Sequence, residues 1–318
     1  MGKAWTIDFE KTNWRKQRLS EMYQLEGLNA KHFFCKYYDK CIESQKGTNI
    51  VKQYAGGTSA LMPAYDVYYN NRAIRILVVG KETGYMPNTT YGTSDDFDTN
   101  NNNVLNCINW KKKNNHIKGT LYILQSIFNL NTEYVYASYA LSDLLRCAFQ
   151  ENESINNTSN VHDTKVMRCN CIEYLMKEID ILEPTLIIAQ GEWAIRNNIL
   201  IEKLNESFGA CKALLKNANG KYGLYEFKEF MCMTCHHPAI LGNWVKNLAP
   251  DSVWPMIEYL KKTGYLPSVD DKTVEEYENM VFPVVNPIIE KLPSNDWLRQ
   301  KKGEMAGQLS LFEELYLD

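Results

Sequence analysis

The chain has 318 residues, a formal charge of −3, and 45% hydrophobic and 12% aromatic residues. That composition excludes wholesale disorder, and the near-balance of charge excludes a global pull toward nucleic acid or anionic lipid, so any polyanion site has to rest on local patches. No apolar run reaches membrane-spanning length, which excludes a spanning helix and gives the expectation of no membrane partner.

Residues 8 to 45 read as helical, with Cys35 and Cys41 near their end. Ile74 to Val79 reads as a buried strand. It runs into Gly80-Lys81-Glu82-Thr83-Gly84, which puts a carboxylate on a glycine-bounded turn. An asparagine-rich stretch over 88–118 comes next, with Asp95-Asp96-Phe97-Asp98, a run of asparagines from Asn100, and Trp110-Lys111-Lys112-Lys113. It is too polar to bury much and reads as a loop inserted at the edge that carries the Gly80 turn. Gly119 to Leu130 reads as a helix, and Tyr134 to Tyr139 as a strand ending near Ser142-Asp143. Thr164 to Leu182 has helical periodicity with Pro184 as a stop, Leu186 to Ala189 reads as a buried strand, and Gly191 opens another helix. A further apolar stretch ends in Cys235-His236-His237-Pro238-Ala239, a histidine on a proline-bounded turn.

Strands alternating with helices predict an α/β fold with a mostly parallel sheet of four to five strands between two helical layers. Strand ends meet at the carboxyl edge of such a sheet. A carboxylate and an imidazole presented there can serve the two ends of one bond being broken. The expected division is a main domain over 1–260, a helical extension over 261–297 and a flexible tail over 298–318.

Five segments, taken in order, resemble the uracil-DNA glycosylase superfamily, particularly its iron-sulfur branch. They are Gly80 to Gly84, Ser142-Asp143-Leu144-Leu145-Arg146-Cys147, Cys171-Ile172-Glu173-Tyr174-Leu175, Leu186 to Gly191, and His237-Pro238-Ala239. The likeness spans roughly Cys35 to Trp244 and implies that family's three-layer αβα sandwich and an enzyme that hydrolyses the bond between a flipped pyrimidine and its sugar. It places Glu82 where other branches carry the residue that positions water, and His237 where the departing base anion is stabilised. Taken alone, Glu82 also suits a helix N-terminus and His237 a packed core position. Tyr85 and Tyr91 are the aromatic residues expected to stack on the extruded base, beside Gly80 and Gly84. Lys111, Lys112, Lys113 and Lys118 are the expected phosphate contacts, although such a run also suits a solvated face. Lys81, next to Glu82, leaves an imine-forming nucleophile open.

The chain departs from that family at informative points. Asp143 stands where uracil-excising members carry an asparagine whose amide donates to uracil O4. An ionised carboxylate has no donor, so facing O4 it loses roughly 1–3 kcal/mol. Cytosine offers an amino group at that edge, and a proton shared with the carboxyl would satisfy its N3. Gly84 stands where the best-known branch has a tyrosine that excludes substituents on pyrimidine C5, and a glycine leaves that side open. The expected substrate is therefore a C5-modified cytosine, such as those in some phage DNA. An ordinary uracil glycosylase and a non-catalytic binder of DNA and clamp are the alternatives. Asp143 also suits a helix cap.

Nine cysteines with no apolar export signal point to a reducing, cytoplasmic setting, and the resemblance adds association with the nucleoid. It implies a 4Fe-4S cluster on Cys35, Cys41, Cys147 and Cys171, although Cys35 and Cys41 are spaced more widely than the family's early Cys-x-x-Cys pair. Cys169 is a substitute for Cys171, and zinc is the rival metal. Cys232 and Cys235 are expected to be core residues of a strand. Near the end, Gln308-Leu309-Ser310-Leu311-Phe312 resembles the pentapeptide that binds the bacterial sliding clamp, with Leu311 and Phe312 entering an apolar pocket while Gln308 and Leu309 complete the contact.

Overall fold

The structure is a computed structural model that describes residues 4–29, 32–45, 50–55, 60–80, 115–151, 161–162, 164–195, 198–238 and 241–289. Its strands are β1 (Trp5–Ile7), β2 (Leu28–Asn29), β3 (His32–Phe33), β4 (Ile50–Ala55), β5 (Ala60–Leu61), β6 (Val67–Tyr69), β7 (Arg72–Ala73), β8 (Ile76–Gly80), β9 (Tyr139–Asp143), β10 (Cys147–Glu151), β11 (Val161–His162), β12 (Leu186–Gln190), β13 (Lys212–Lys216), β14 (Gly223–Glu226) and β15 (Met231–Cys235). The central sheet has seven strands in the order β13-β14-β15-β12-β8-β9-β5. Its middle is parallel, with β9, β8, β12 and β15 side by side. The antiparallel additions β13, β14 and β5 lie on the edges, and they raise the strand number above the expected four to five.

The parallel strands form where the sequence has unbroken apolar runs, because a strand covered on both faces cannot alternate with polar residues. Every residue of β8, β12 and β15 is buried. Alternate residues nonetheless point to different cores. Ile76, Val78, Leu186, Ile188 and Met233 join Leu121, Leu124, Phe128, Met256, Leu260 and Tyr277 on one side. Leu77, Val79, Ile187, Ala189 and Cys232 join Leu19, Tyr23, Leu175, Ile179 and Leu204 on the other. Helices therefore cover both faces, an arrangement compatible with a three-layer sandwich.

The first face is covered by α3 (Asn115–Phe128) and by the helical run from Leu241 to Lys262. The helix Val274–Ile289 joins them. There Trp5 packs on Tyr277 with ring centroids 5.0 Å apart, and Ser138 bonds the Tyr277 hydroxyl at 2.6 Å. The second face is covered by α1 (Phe9–Leu25), α4 (Lys165–Leu182) and α5 (Ile199–Phe208). The start of α4 is capped by Thr164 Oγ1, which accepts from Met167 N at 3.1 Å.

Three local readings are corrected. The N-terminal helix stops at Leu25, because Gly27 takes a left-handed φ of +65° and turns the chain into the β2–β3 hairpin. Cys41 sits instead on a short helix, α2 (Tyr38–Glu43). The segment read as a strand over Tyr134 to Tyr139 is mostly a 3₁₀ turn, Glu133–Ala137, capped by Thr132, and the strand begins at Tyr139. Of the asparagine-rich stretch, 88–114 lies outside the described residues, and from Asn115 the chain is helical.

Candidate functional site

The carboxyl ends of the four parallel strands bring Gly80, Asp143, Gln190 and the turn after Cys235 to one edge. Gly80 and Asp143 are partners in the β8–β9 ladder, and Leu144 N donates to Gly80 O at 3.0 Å. The lack of a side chain at Gly80 makes room for both neighbouring groups: a Cβ there would lie 2.8 Å from Asp143 Oδ1 and 3.8 Å from His116 Cε1. The carboxyl group and the His116 ring thus flank the bare Cα of the strand end.

His237 arrives from the opposite side. Gly191 N donates to Cys235 O at 2.8 Å, and Trp244 Nε1 donates to His236 O at 3.0 Å, which anchors the turn to β12 and to the helical run behind it. The two adjacent histidines part company. His236 packs against Tyr222 with centroids 4.2 Å apart and planes tilted at 51°, and lies 3.6 Å from Asp251. His237 stacks on His116, centroids 4.7 Å apart and planes at 27°. The first turn of α3 is seated on the same turn, since a Cβ at Gly119 would come within 2.3 Å of Pro238 Cβ.

Burial sets the electrostatics of the edge. It pushes the Asp143 carboxyl up to about 6, with Arg146 opposing and Glu178 adding to the rise. Arg146 is shared between Asp143 and Glu178. Arg146 Nη2 donates to Glu178 Oε2 at 2.5 Å, and Ser142 Oγ donates to the same oxygen at 2.5 Å. The Tyr23 hydroxyl donates to Glu178 Oε1, so the buried glutamate on α4 is satisfied by three side chains. Burial also lowers the pKa of His116, against the pull of its bond to Gln190, and so favours a neutral ring beside His237.

A carboxyl near neutrality and an imidazole facing one strand edge can together hold a heteroaromatic ring by its polar edges. A carboxyl that shares its proton can donate and accept at once, while a ring N–H stabilises negative charge on an oxygen.

Glu82, Gly84, Tyr85, Tyr91, Lys111, Lys112 and Lys113 lie outside the described residues, as do Gln308, Leu309, Leu311 and Phe312. Lys118 is partly buried in the first turn of α3. His116 and Gln190 escape the sequence reading. His116 lies in a lysine- and asparagine-rich run, and only its contact with the distant His237 marks it.

Cys35, Cys41 and Cys171 are buried in the second core. Burial pushes Cys171 up to about 12, with Cys41 and Cys35 adding to it and the Arg146 backbone N–H opposing. Burial likewise raises Cys41, which accepts from Asn170 Nδ2 at 3.4 Å. Cys35 Sγ is 3.3 Å from the Tyr174 hydroxyl. Three of the four expected thiols thus lie in the same apolar core. The fourth, Cys147, opens β10 directly after Arg146, and its side chain is outside the described residues. Among the described residues, no three His, Cys, Asp or Glu side chains are gathered closely enough to hold a metal ion. Cys169 is exposed, while Cys232 and Cys235 are wholly buried in β15. No described helix is long and apolar enough to cross a membrane. Comparison with protein-family models finds no match for this chain, and comparison with curated proteins finds none either.

Proposed function

We propose that this protein is a DNA glycosylase that removes a flipped cytosine-type base, with a C5-modified cytosine as its preferred substrate. The observation that carries the reading is the meeting of Asp143 and the stacked His237 at one sheet edge, from opposite sides of the parallel core. In the proposed reaction the C1′–N1 bond breaks with its electron pair passing to the base. Water adds its oxygen to C1′ and gives its proton to Glu82. His237 donates to the base oxygen as negative charge develops there. Asp143 accepts from the exocyclic amino group and shares a proton with N3. The layered sheet is compatible with the glycosylase superfamily that the sequence motifs resemble.

The test is excision from oligonucleotides carrying uracil, cytosine, hydroxymethylcytosine or glucosylated hydroxymethylcytosine, read as alkali-labile abasic sites. Release from a modified cytosine, lost in Glu82→Gln and His237→Ala, is expected. Release of uracil alone would defeat the choice of base, and no release from any substrate would leave a non-catalytic binder.

The same reading makes Cys35, Cys41, Cys147 and Cys171 ligands of a 4Fe-4S cluster that ties the N-terminal segment to the sheet, and makes Gln308 to Phe312 a sliding-clamp ligand. Stoichiometric iron and sulfide in the purified protein support the first, and zinc or no metal refutes it. Deleting the last residues is expected to abolish co-elution with the clamp while sparing excision from short oligonucleotides; retained binding would refute the second.

A further inference from the structure

His116 lies outside every motif that carries the family resemblance, yet it is held at the site from several directions. Its Nε2 donates to Gln190 Oε1 at 2.6 Å. Gln190 is wholly buried at the end of β12, and its own Nε2 donates to Thr120 Oγ1 at 3.3 Å. Thr120 stands one helical turn beyond His116 on α3, so a single turn of helix grips both ends of the Gln190 amide. The turn is in addition pressed against Pro238, the residue after His237, at the bare Cα of Gly119. An imidazole that served only to fill space would need no such relay, because an apolar ring fills the same volume without a buried polar nitrogen to satisfy. The ring so held stacks 4.7 Å from His237, and its burial, acting against the bond to Gln190, disfavours the charged form that would repel a charged neighbour.

We propose that His116 is a positioning residue for His237: stacking fixes the plane of the His237 imidazole, and the Gln190–Thr120 relay keeps His116 from swinging out of the stack. The inference rests on the reading of His237 as the donor to the departing base. A donor aimed at a developing charge loses much of its effect when displaced by about 1 Å, a change that costs on the order of 100-fold in rate.

The experiment uses the full chain and the variants His116→Ala, His116→Phe, Gln190→Leu and His237→Ala. In single-turnover excision, His116→Ala is expected to lower the maximal rate constant by about 10- to 100-fold with the half-saturating enzyme concentration little changed. His116→Phe, which keeps a ring in the stack, is expected to recover most of that loss, and Gln190→Leu to fall between. A second readout needs no activity. In spectra of protein labelled on its histidine rings, the His237 signal, assigned by its loss in His237→Ala, is expected to shift in His116→Ala and return toward its native place in His116→Phe. If His237→Ala abolishes excision but His116→Ala does not slow it, the positioning role is overturned while the glycosylase reading stands. If the His237 signal is the same in His116→Ala as in the native protein, the positioning role is overturned as well. If the native protein releases no base but the ring signals respond as expected, the glycosylase reading fails and the coupling of the two rings stands.

Discussion

Replacing Asp143 by asparagine should make the protein more stable, although the residue stands at the proposed site. Its carboxyl rises from an ordinary 3.8 to about 6, first because it is buried, with Arg146 opposing and Glu178 reinforcing the shift. A carboxyl that ionises less readily in the folded chain than in the unfolded one binds extra protons in the fold between those two values. Stability therefore declines as pH climbs through that window, and the full cost is present above it. At about 1.36 kcal/mol per pH unit the shift corresponds to about 3 kcal/mol. Water reaching the partly buried group reduces this, so about 1–3 kcal/mol is expected. Asparagine occupies the same volume without the charge. Asp143→Asn should thus raise the unfolding free energy at about pH 8 by that amount, with a gain of a few degrees in Tm. The advantage should shrink toward zero below about pH 4, where the carboxyl is protonated in both states. Denaturant and thermal unfolding across this pH range measure it. A variant less stable than the native protein at about pH 8, or a gain that does not vary with pH, would refute the placement of a carboxyl whose burial outweighs its attraction to Arg146 at this edge.

Excision of the cytosine-type base should track the same titration: above about pH 6 an ionised Asp143 has no proton to share with N3, so the rate should fall by about 10-fold or more as pH rises past that value; a rate that is flat with pH would count against Asp143 as the reader. Gly119→Ala should cost about 1–3 kcal/mol by driving a methyl group into Pro238, whereas Gly242→Ala, where a Cβ meets nothing within 4 Å, should be nearly neutral; equal effects in urea unfolding would contradict the packing. Glu178→Gln leaves Arg146 buried without its counter-charge and should cost about 3–5 kcal/mol. A loss below about 1 kcal/mol would show that the buried network contributes little.

The parallel core was legible because Ile76 to Val79 and Leu186 to Ala189 are apolar without interruption, the pattern that burial on both faces demands. The edge hairpin of β13 and β14 was not, since Lys212-Ala213-Leu214-Leu215-Lys216 neither alternates nor runs apolar, and its pairing is settled by contact with β15. Tyr134-Val135-Tyr136 looks like a strand, but tertiary contacts, including Tyr134 against Phe282, win over the local preference. At the site, Gly80, Asp143 and His237 were readable because turn residues at strand ends mark one edge of a parallel sheet. His116 and Gln190 were not, since their part depends on which side chains meet across the fold and no spacing in the chain records that.

The most direct measurement is mass spectrometry of free bases released from normal and modified DNA by the native protein and by His237→Ala. A modified cytosine released by the native protein and retained by the variant is the predicted result. Equal release by both, or none by either, would contradict the claim that the groups at this sheet edge act together on a single extruded base.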